Sequence, residues 1–206
     1  MNAAFAHARQ KREWRQQVAA RLIQLADGSA LPDTRTASRA AVALDGISLD
    51  VIDTLPLWCA LNDQELERWQ HTTGALFITP ALRRCLDGAT LKKAVQAIGE
   101  SLFQRLLKER ELPDQAPAID RDTDFVTLIR TSGAHILLSL LPNVELVSLY
   151  APRLGMCTEQ TTHLDITLAR HLYLRTAGLL SALDEPDTHP HPPATSRPGP
   201  GDPNKI

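Results

Sequence analysis

Histidine is the residue type in this chain with most scope for metal or acid–base chemistry, and the sequence holds seven of them. His163 and His171 are eight residues apart, about two turns of helix, which is too far for one shared metal ion. His189 and His191 lie among prolines, where they could hold a transition metal only weakly. His135 lies in a very apolar segment, where a hydrogen-bonded core histidine is commoner than a ligand or a base. The spacing therefore predicts no metal site and no cofactor.

The three cysteines are far apart and form no CxxC pair. A zinc knuckle or a thioredoxin-type site is therefore excluded. Cys59, Cys85 and Cys157 each have apolar neighbours, which predicts buried, reduced thiols.

The carboxylates are placed as helix caps and linker residues and do not form a catalytic pair. Asp63, Asp87 and Asp122 lie at predicted helix starts, and Asp114 and Asp120 lie in a predicted linker. The chain contains no GxSxG, HExxH, P-loop or GxGxxG motif. We therefore expect a protein that is not an enzyme.

Composition favours helices over strands. Of the 206 residues, 43% are apolar but only 4% are aromatic, so leucine and alanine must fill the core. A formal charge of -2 gives no overall field that would attract nucleic acid or an anionic membrane. Neither an apolar signal segment nor a run of about 20 apolar residues is present, so we expect a cytoplasmic protein.

The predicted architecture is all-α, a single irregular helical bundle with a disordered proline-rich tail. The helical domain covers residues 1–184, divided into an N-terminal helix and loop (1–46) and a core bundle (47–184). The tail covers residues 185–206 and contains seven of the 14 prolines, a spacing that no packed helix or strand tolerates.

Several helix boundaries follow from local signals. We predict a helix over residues 3 to 26 and a capping box formed by Asn62 and Glu65. The helix after Asn62 should close at Gly74, and Thr79-Pro80 should start the next one. We also predict a helix stop at Asp87-Gly88, a joint at Gly99 and a cap at Asp122. A central helix is predicted over 124–142, a short helix or extended connector over 143–150, and a helix from Thr158 to Leu183.

Close helix packing is predicted at Gly99 and Gly133. The predicted core positions are Leu57, Trp58, Leu61, Trp69 and Leu137.

A basic corner is predicted between two successive helices. The pairs Arg83-Arg84 and Lys92-Lys93 should be exposed, while buried apolar residues hold the helices down: Leu82, Leu86, Leu91 and Val95. A second basic face lies on the first helix, at Arg9, Arg12 and Arg15. We interpret both as candidate partner-binding surfaces. A purely solvated face explains the corner equally well, and it is the better explanation for the first helix.

The central region resembles a known family. The likeness is carried by Leu57-Trp58, Trp69, the run Thr79-Pro80-Ala81-Leu82-Arg83-Arg84 to Leu86-Asp87-Gly88, Leu91-Lys92-Lys93 to Gly99-Glu100, and the later segment from Gly133 to Leu141. Over residues 55–142 the chain is similar to the K subunit of the type III secretion sorting platform, the family of YscK, PscK and OrgA-like proteins.

The resemblance implies a helical, non-catalytic adaptor at the cytosolic face of the inner membrane. Such a subunit bridges the cytoplasmic domain of the inner-membrane ring protein to the Q subunit of the pod, and so supports effector secretion and virulence. Two other classes stay open: a helical regulator or chaperone-like protein that binds a partner helix, and a nucleic-acid-binding protein that uses the face from Arg83 to Arg105.

Overall fold

The longest helix of the core and the most apolar one cross at the centre of the molecule. The computed structural model describes residues 3–27, 48–110, 112–113, 115–157 and 164–184, and within these ranges it contains eight α-helices and no strand. The prediction of an all-α bundle is confirmed. The helices are α1 (Ala3–Asp27), α2 (Leu49–Thr54), α3 (Asp63–Arg84), α4 (Gly88–Ile98), α5 (Glu100–Lys108), α6 (Phe125–Leu138), α7 (Val144–Tyr150) and α8 (Ile166–Asp184), with 3₁₀ turns at Leu57–Ala60 and Pro152–Leu154.

The predicted loop over 28–46, the proline-rich tail over 185–206 and the Thr158 cap lie outside the described residues. The same holds for His163, His189 and His191. The division into a helical domain and a tail stays a prediction.

Two glycines let α3 and α6 touch backbone to backbone. A Cβ atom at Gly74 would lie 1.9 Å from the carbonyl oxygen of Ile129, and one at Gly133 would lie 2.0 Å from that of Gln70. Real Cβ atoms do not approach oxygen so closely, so only glycine permits this crossing. The expectation of close packing is confirmed for Gly133. It is wrong for Gly99, whose position has open space around it.

Buried hydrogen bonds fix the register of the crossing. The Gln70 side-chain amide donates to the carbonyls of Arg130, at 2.9 Å, and Leu154, at 3.0 Å. Thr73 on α3 donates to the hydroxyl of Thr176 on α8 at 3.2 Å, and Thr176 donates to its own helix at Leu172. Because buried polar groups are costly without partners, these bonds specify one arrangement of the three helices.

The crossing separates two apolar clusters, and both central helices contribute to each. One cluster surrounds Trp58, which is fully buried and meets Tyr150 edge to face with ring centroids 5.1 Å apart. The Tyr150 hydroxyl donates to the carbonyl of Cys59 at 3.0 Å, and burial raises the pKa of Tyr150. The other cluster contains Leu76, Ile78, Ala94, Phe103, Leu106, Ile129, Ile136 and Leu172. Trp58 and Leu137 are therefore core residues, as expected.

The predicted break between Gly74 and Thr79-Pro80 is wrong, because α3 continues through both. Residues 72–79 are all buried, so tertiary packing favours an unbroken helix over the local signal of proline. Pro80 lacks the amide that would bond four residues back. Thr79, predicted to cap a new helix, donates its hydroxyl to the carbonyl of Ala75 at 2.8 Å instead.

Asp87-Gly88 does not end a helix but begins the next one. The C-cap of α3 is Cys85, and Asp87 caps the N-terminus of α4, with Gly88 as its first residue. In the same way Asp124, and not Asp122, caps α6. The end of one helix and the start of the next look alike in sequence, because an aspartate between two apolar runs fits either position.

Other local expectations have mixed outcomes. The capping box of Asn62 and Glu65 is present, and Gly99, with φ of 88°, is the joint between α4 and α5. Residues 144–150 are helical, which settles the choice left open there. Leu57, expected in the core, is 61% exposed. Leu61 and Trp69 are half-buried, with Trp69 packed against Tyr173 at a centroid distance of 5.0 Å.

We predict that Gly74→Ala lowers the free energy of unfolding by about 1–3 kcal/mol or more, because the added methyl must push two backbones apart. Gly178→Ala is the matched control, since nothing lies within 4 Å of that position on the exposed side of α8. It should be neutral, or stabilising by about 0.5–1 kcal/mol. Urea unfolding of both variants measures the difference. Equal stability of the two variants would show that the helices do not touch at Gly74.

Candidate interaction surface

A connector of three residues joins α3 to α4, and exposed cations lie on both sides of it. We call the set Arg84, Leu86, Lys92, Lys93 and Arg121 the basic corner. Arg84 ends α3, Leu86 lies in the connector, and Lys92 and Lys93 are on the exposed side of α4. The buried residues of α4 are Thr90, Ala94 and Ile98, which hold its other face against the core.

Asp87 fixes the start of α4 and hence the angle of the corner. Its carboxylate accepts from the Thr90 hydroxyl at 2.6 Å and from the Thr90 amide at 3.1 Å. These bonds, with a smaller contribution from the Arg121 cation, lower the pKa of Asp87. The carboxylate is thus committed to the cap and to Arg121, whose Nε lies 3.4 Å from it.

Arg83, although exposed, connects the end of α3 to the end of α5. Its guanidinium donates to the main-chain carbonyls of Leu106, at 2.9 Å, and Leu107, at 3.1 Å, and also to that of Glu109. The last carbonyls of a helix have no partners within it, so Arg83 satisfies the C-terminal end of α5. Arg105 does the same for α8 by donating to Ala182 at 2.7 Å. Arg83, Arg84, Lys92 and Lys93 were predicted to be exposed and free of internal contacts. Arg83 is exposed, but the prediction that it makes no internal contact is wrong.

Lys93 is also tied to the fold, whereas Lys92 is not. The Lys93 ammonium donates to the carbonyl of Arg121 at 2.7 Å, which fastens the segment before α6 to the corner. Within the described part of the chain, Lys92 is exposed and makes no hydrogen bond or ion pair. Arg121 was absent from the sequence-based set, because only the fold brings residue 121 next to Asp87.

Leu86 is the residue that sequence reasoning placed worst. It was predicted to be buried with Leu82, Leu91 and Val95, yet its side chain is 98% exposed. The helical spacing that suggested a core position fails because α3 ends at Arg84, two residues earlier. Leu82 is buried as expected, and Leu91 and Val95 are half-buried.

The second candidate face, on α1, is partly used to hold α1 in place. Arg15 forms a two-pronged pair with Asp53 on α2, with both N–O distances 2.7 Å, and Lys11 reaches the same carboxylate at 2.6 Å. The Arg15 guanidinium, followed by the Lys11 ammonium, holds the pKa of Asp53 well below its usual range. Arg15 is therefore a structural residue of the α1–α2 contact.

The other two cations of that face point to solvent. Arg9 pairs with Glu13 one turn later at 2.8 Å, a contact of little energetic weight on an exposed surface. Arg12 is exposed and has no hydrogen bond or ion pair with the described residues. Of Arg9, Arg12 and Arg15, only Arg12 is thus fully available to a partner.

An open groove of about 660 Å³ runs between α1 and the segment 53–57. Trp14, Leu55 and Leu57 give it apolar walls, and Lys11 and Asp53 lie at its edge. The Trp14 indole donates to the carbonyl of Ile52 at 3.4 Å, so its ring is held in position. No sequence pattern indicated this groove, because its two sides are about 40 residues apart.

The residues first considered for chemistry are dispersed. Within the described ranges, no three histidine, cysteine or acidic side chains are grouped as metal ligands would be. The His71 ring pairs with the carbonyl of Ala97 at 3.0 Å, and the His135 side chain is half-buried. Cys59 is buried and its thiol pKa is raised by burial, but Cys85 is half-buried and Cys157 is exposed. The prediction of three buried thiols is therefore correct only for Cys59.

No described helix combines the length and the apolarity that crossing a membrane would need. Comparison with family models, curated proteins and solved structures finds no match to this chain. In the described ranges the protein is an all-α bundle with a basic corner.

We predict that Asp53→Asn destabilises the protein near neutral pH and that the difference from wild type shrinks in acid. A carboxyl with a depressed folded pKa adds stability above its unfolded pKa of about 3.9 and loses it as the pH falls toward the folded value. Unfolding by urea between about pH 2 and pH 7 measures this. A gap between variant and wild type that stays constant down to the lowest pH would contradict the ion pair.

Proposed function

We propose that this protein is a non-catalytic adaptor that joins protein partners, in the manner of the K subunit of the type III secretion sorting platform. The observation that carries the proposal is the basic corner itself. It presents exposed cations and a solvent-facing leucine on a frame fixed by the Asp87 cap and the contacts of Arg83 with the end of α5. Surfaces that combine arginine, apolar side chains and a rigid support are typical of protein interfaces.

An adaptor needs a second surface, and α1 offers one. Arg12 is exposed there, and the Trp14 groove lies along the same helix. The two surfaces are built on different elements, so two partners can bind without competing. The resemblance over residues 55–142 names these partners as the cytoplasmic domain of the inner-membrane ring protein and the Q subunit of the pod. The corresponding place of action is the cytosolic face of the inner membrane.

A helical regulator or chaperone-like protein is the second candidate function. The observation that favours it is the groove with Trp14, Leu55 and Leu57 in its walls, since apolar grooves of this kind accept one face of an amphipathic helix. On this alternative the basic corner would be a solvated surface, and binding would depend on Trp14.

The test is a pull-down against the ring protein's cytoplasmic domain and the Q subunit with the variant Lys92→Glu. We expect weaker binding to one partner and an unchanged fold, because charge reversal removes steering toward acidic surfaces. Arg83 and Lys93 are left intact, since each holds internal carbonyls and its reversal would disturb the fold.

The matched control is Arg170→Glu, which changes the net charge equally at an exposed position outside the corner. It should bind both partners as wild type does, with circular dichroism confirming the fold of each variant. Wild-type binding by the corner variant, together with restored secretion in a deletion strain, would contradict the corner as an interface. Loss of binding only on Trp14→Ala would favour the second candidate, and salt-sensitive binding to a DNA duplex would favour nucleic-acid recognition.

A further inference from the structure

A cavity of about 300 Å³ lies between the first half of α3, the first half of α6 and the side chain of Arg153. Leu66 and Gln70, which are buried, form its floor, whereas Glu67 and Arg130 are exposed at its rim. This volume is at the lower end of the range for small-molecule sites in proteins. The cavity therefore suits a compact ligand.

The α3 wall of the cavity presents hydrogen-bond acceptors. Asp63, Glu67 and His71 follow one another at intervals of four residues, which places them on one face of the helix. The Asp63 carboxylate is engaged by Arg153, but Glu67 makes no hydrogen bond or ion pair with the part of the chain that the structure describes. The His71 Nε2 lies 3.0 Å from the Ala97 carbonyl, which can only accept, so the neutral ring keeps an acceptor lone pair on Nδ1. Glu67 and His71 can thus accept from a donor group of a ligand.

The other wall presents guanidinium donors. Arg130, on α6, is exposed, and its side chain makes no hydrogen bond or ion pair within the described ranges. The side chain of Arg153 is only 7% exposed. Its Nε and Nη2 lie 2.9 and 2.8 Å from the Asp63 carboxylate, whereas its Nη1 is buried and has no partner among the described residues. A buried charged donor without a partner is costly, so a negative charge close to Arg153 would stabilise it.

Glu67 and Arg130 border the same cavity and carry opposite charges, yet in the described structure they do not pair with each other. Charges of opposite sign on two walls of one cavity are complementary to a ligand that carries both signs. Leu66 and Val126 add apolar surface for an uncharged part of such a ligand. A compact zwitterion with an apolar group meets all three conditions.

We propose that this cavity binds a free amino acid with a small apolar side chain. The Arg130 guanidinium binds its carboxylate, because the planar fork of arginine matches the two carboxylate oxygens. Glu67 and the Nδ1 atom of His71 accept from its ammonium group, and its side chain packs against Leu66 and Val126. This ligand site goes beyond the adaptor role and does not depend on it.

Two other classes of ligand fit the cavity less well. The carboxylates of Asp63 and Glu67 repel a phosphate dianion, whose charge is twice that of a carboxylate. The guanidinium groups of Arg130 and Arg153 repel a metal cation. A zwitterion avoids both penalties, because each of its charges faces a wall of opposite sign.

The test is isothermal titration calorimetry of the full chain with each standard amino acid, and with acetate, methylammonium and inorganic phosphate. We expect saturable binding of one or more small apolar amino acids with a Kd of about 1 mM or tighter. Acetate and methylammonium should bind at least about tenfold more weakly, because each engages one wall only. The proposal is refuted if no small apolar amino acid binds, or if acetate, methylammonium or phosphate binds as tightly as the best of them.

Variants locate the bound amino acid. With the amino acid that binds wild type most tightly, Arg130→Gln and Glu67→Gln should each weaken binding about tenfold or more, because each removes one charged contact. Arg170→Gln and Glu145→Gln are the matched controls, since both residues are exposed and make no hydrogen bond or ion pair with the described residues. The controls should bind as wild type does.

The thermal midpoint of each variant without ligand should equal that of wild type, because Arg130 and Glu67 hold no other side chain in place. If either Arg130→Gln or Glu67→Gln keeps the wild-type affinity, the ligand does not connect the two walls and the proposal is overturned. No protein partner enters these measurements, so their outcome leaves the adaptor proposal untouched.

Discussion

The backbone contact between α3 and α6 is the constraint on which the rest of this structure depends. Gly74 and Gly133 each face a carbonyl of the opposite helix at a distance that leaves no room for a methyl group. The crossing brings the Gln70 amide within reach of Arg130 and Leu154, and Thr73 within reach of Thr176. Both apolar clusters contain residues of α3 and α6, so both depend on this close approach of the two helices. In this chain, which has few aromatic residues, close packing at small residues holds the central helices together. In other cores large aromatic side chains have that role.

The same crossing explains why the basic corner is rigid. Once α3 is pinned at residues 70–74, its remaining turns extend as one helix past Pro80 to Arg84. The end of that helix is then fixed twice, by the Arg83 contacts with the end of α5 and by the Asp87 cap of α4. Arg83 and Lys93, which the sequence predicted to be free of internal contacts, therefore stabilise the fold. Lys92, by contrast, is exposed and makes no hydrogen bond or ion pair within the described ranges, so it can change partners at low cost to the fold.

Local signals in the sequence predict much of the fold and little of the surface. The all-α class, the Asn62–Glu65 capping box, the joint at Gly99 and the buried Trp58 and Leu137 follow from propensity, capping and periodicity, which act over a few residues. Pro80 shows where local signals fail, because the burial of residues 72–79 keeps α3 unbroken although proline normally interrupts a helix. Local signals also fail at Leu86, because the exposure of its side chain depends on where α3 ends. The groove along α1 and the position of Arg121 depend on contacts between distant segments, which no local pattern encodes.

The two candidate surfaces differ in how they are coupled to the fold. The basic corner is attached to α3 and the crossing, so a partner bound there is joined to the most deeply buried part of the molecule. The α1 surface is attached through Val18 and Leu22 in the Trp58 cluster and through the ion pairs of Asp53. Ion pairs near a surface weaken with salt, whereas backbone packing does not. The attachment of α1 should therefore weaken with salt to the extent that it depends on the Asp53 ion pairs, whereas the α3–α6 contact that supports the corner should not.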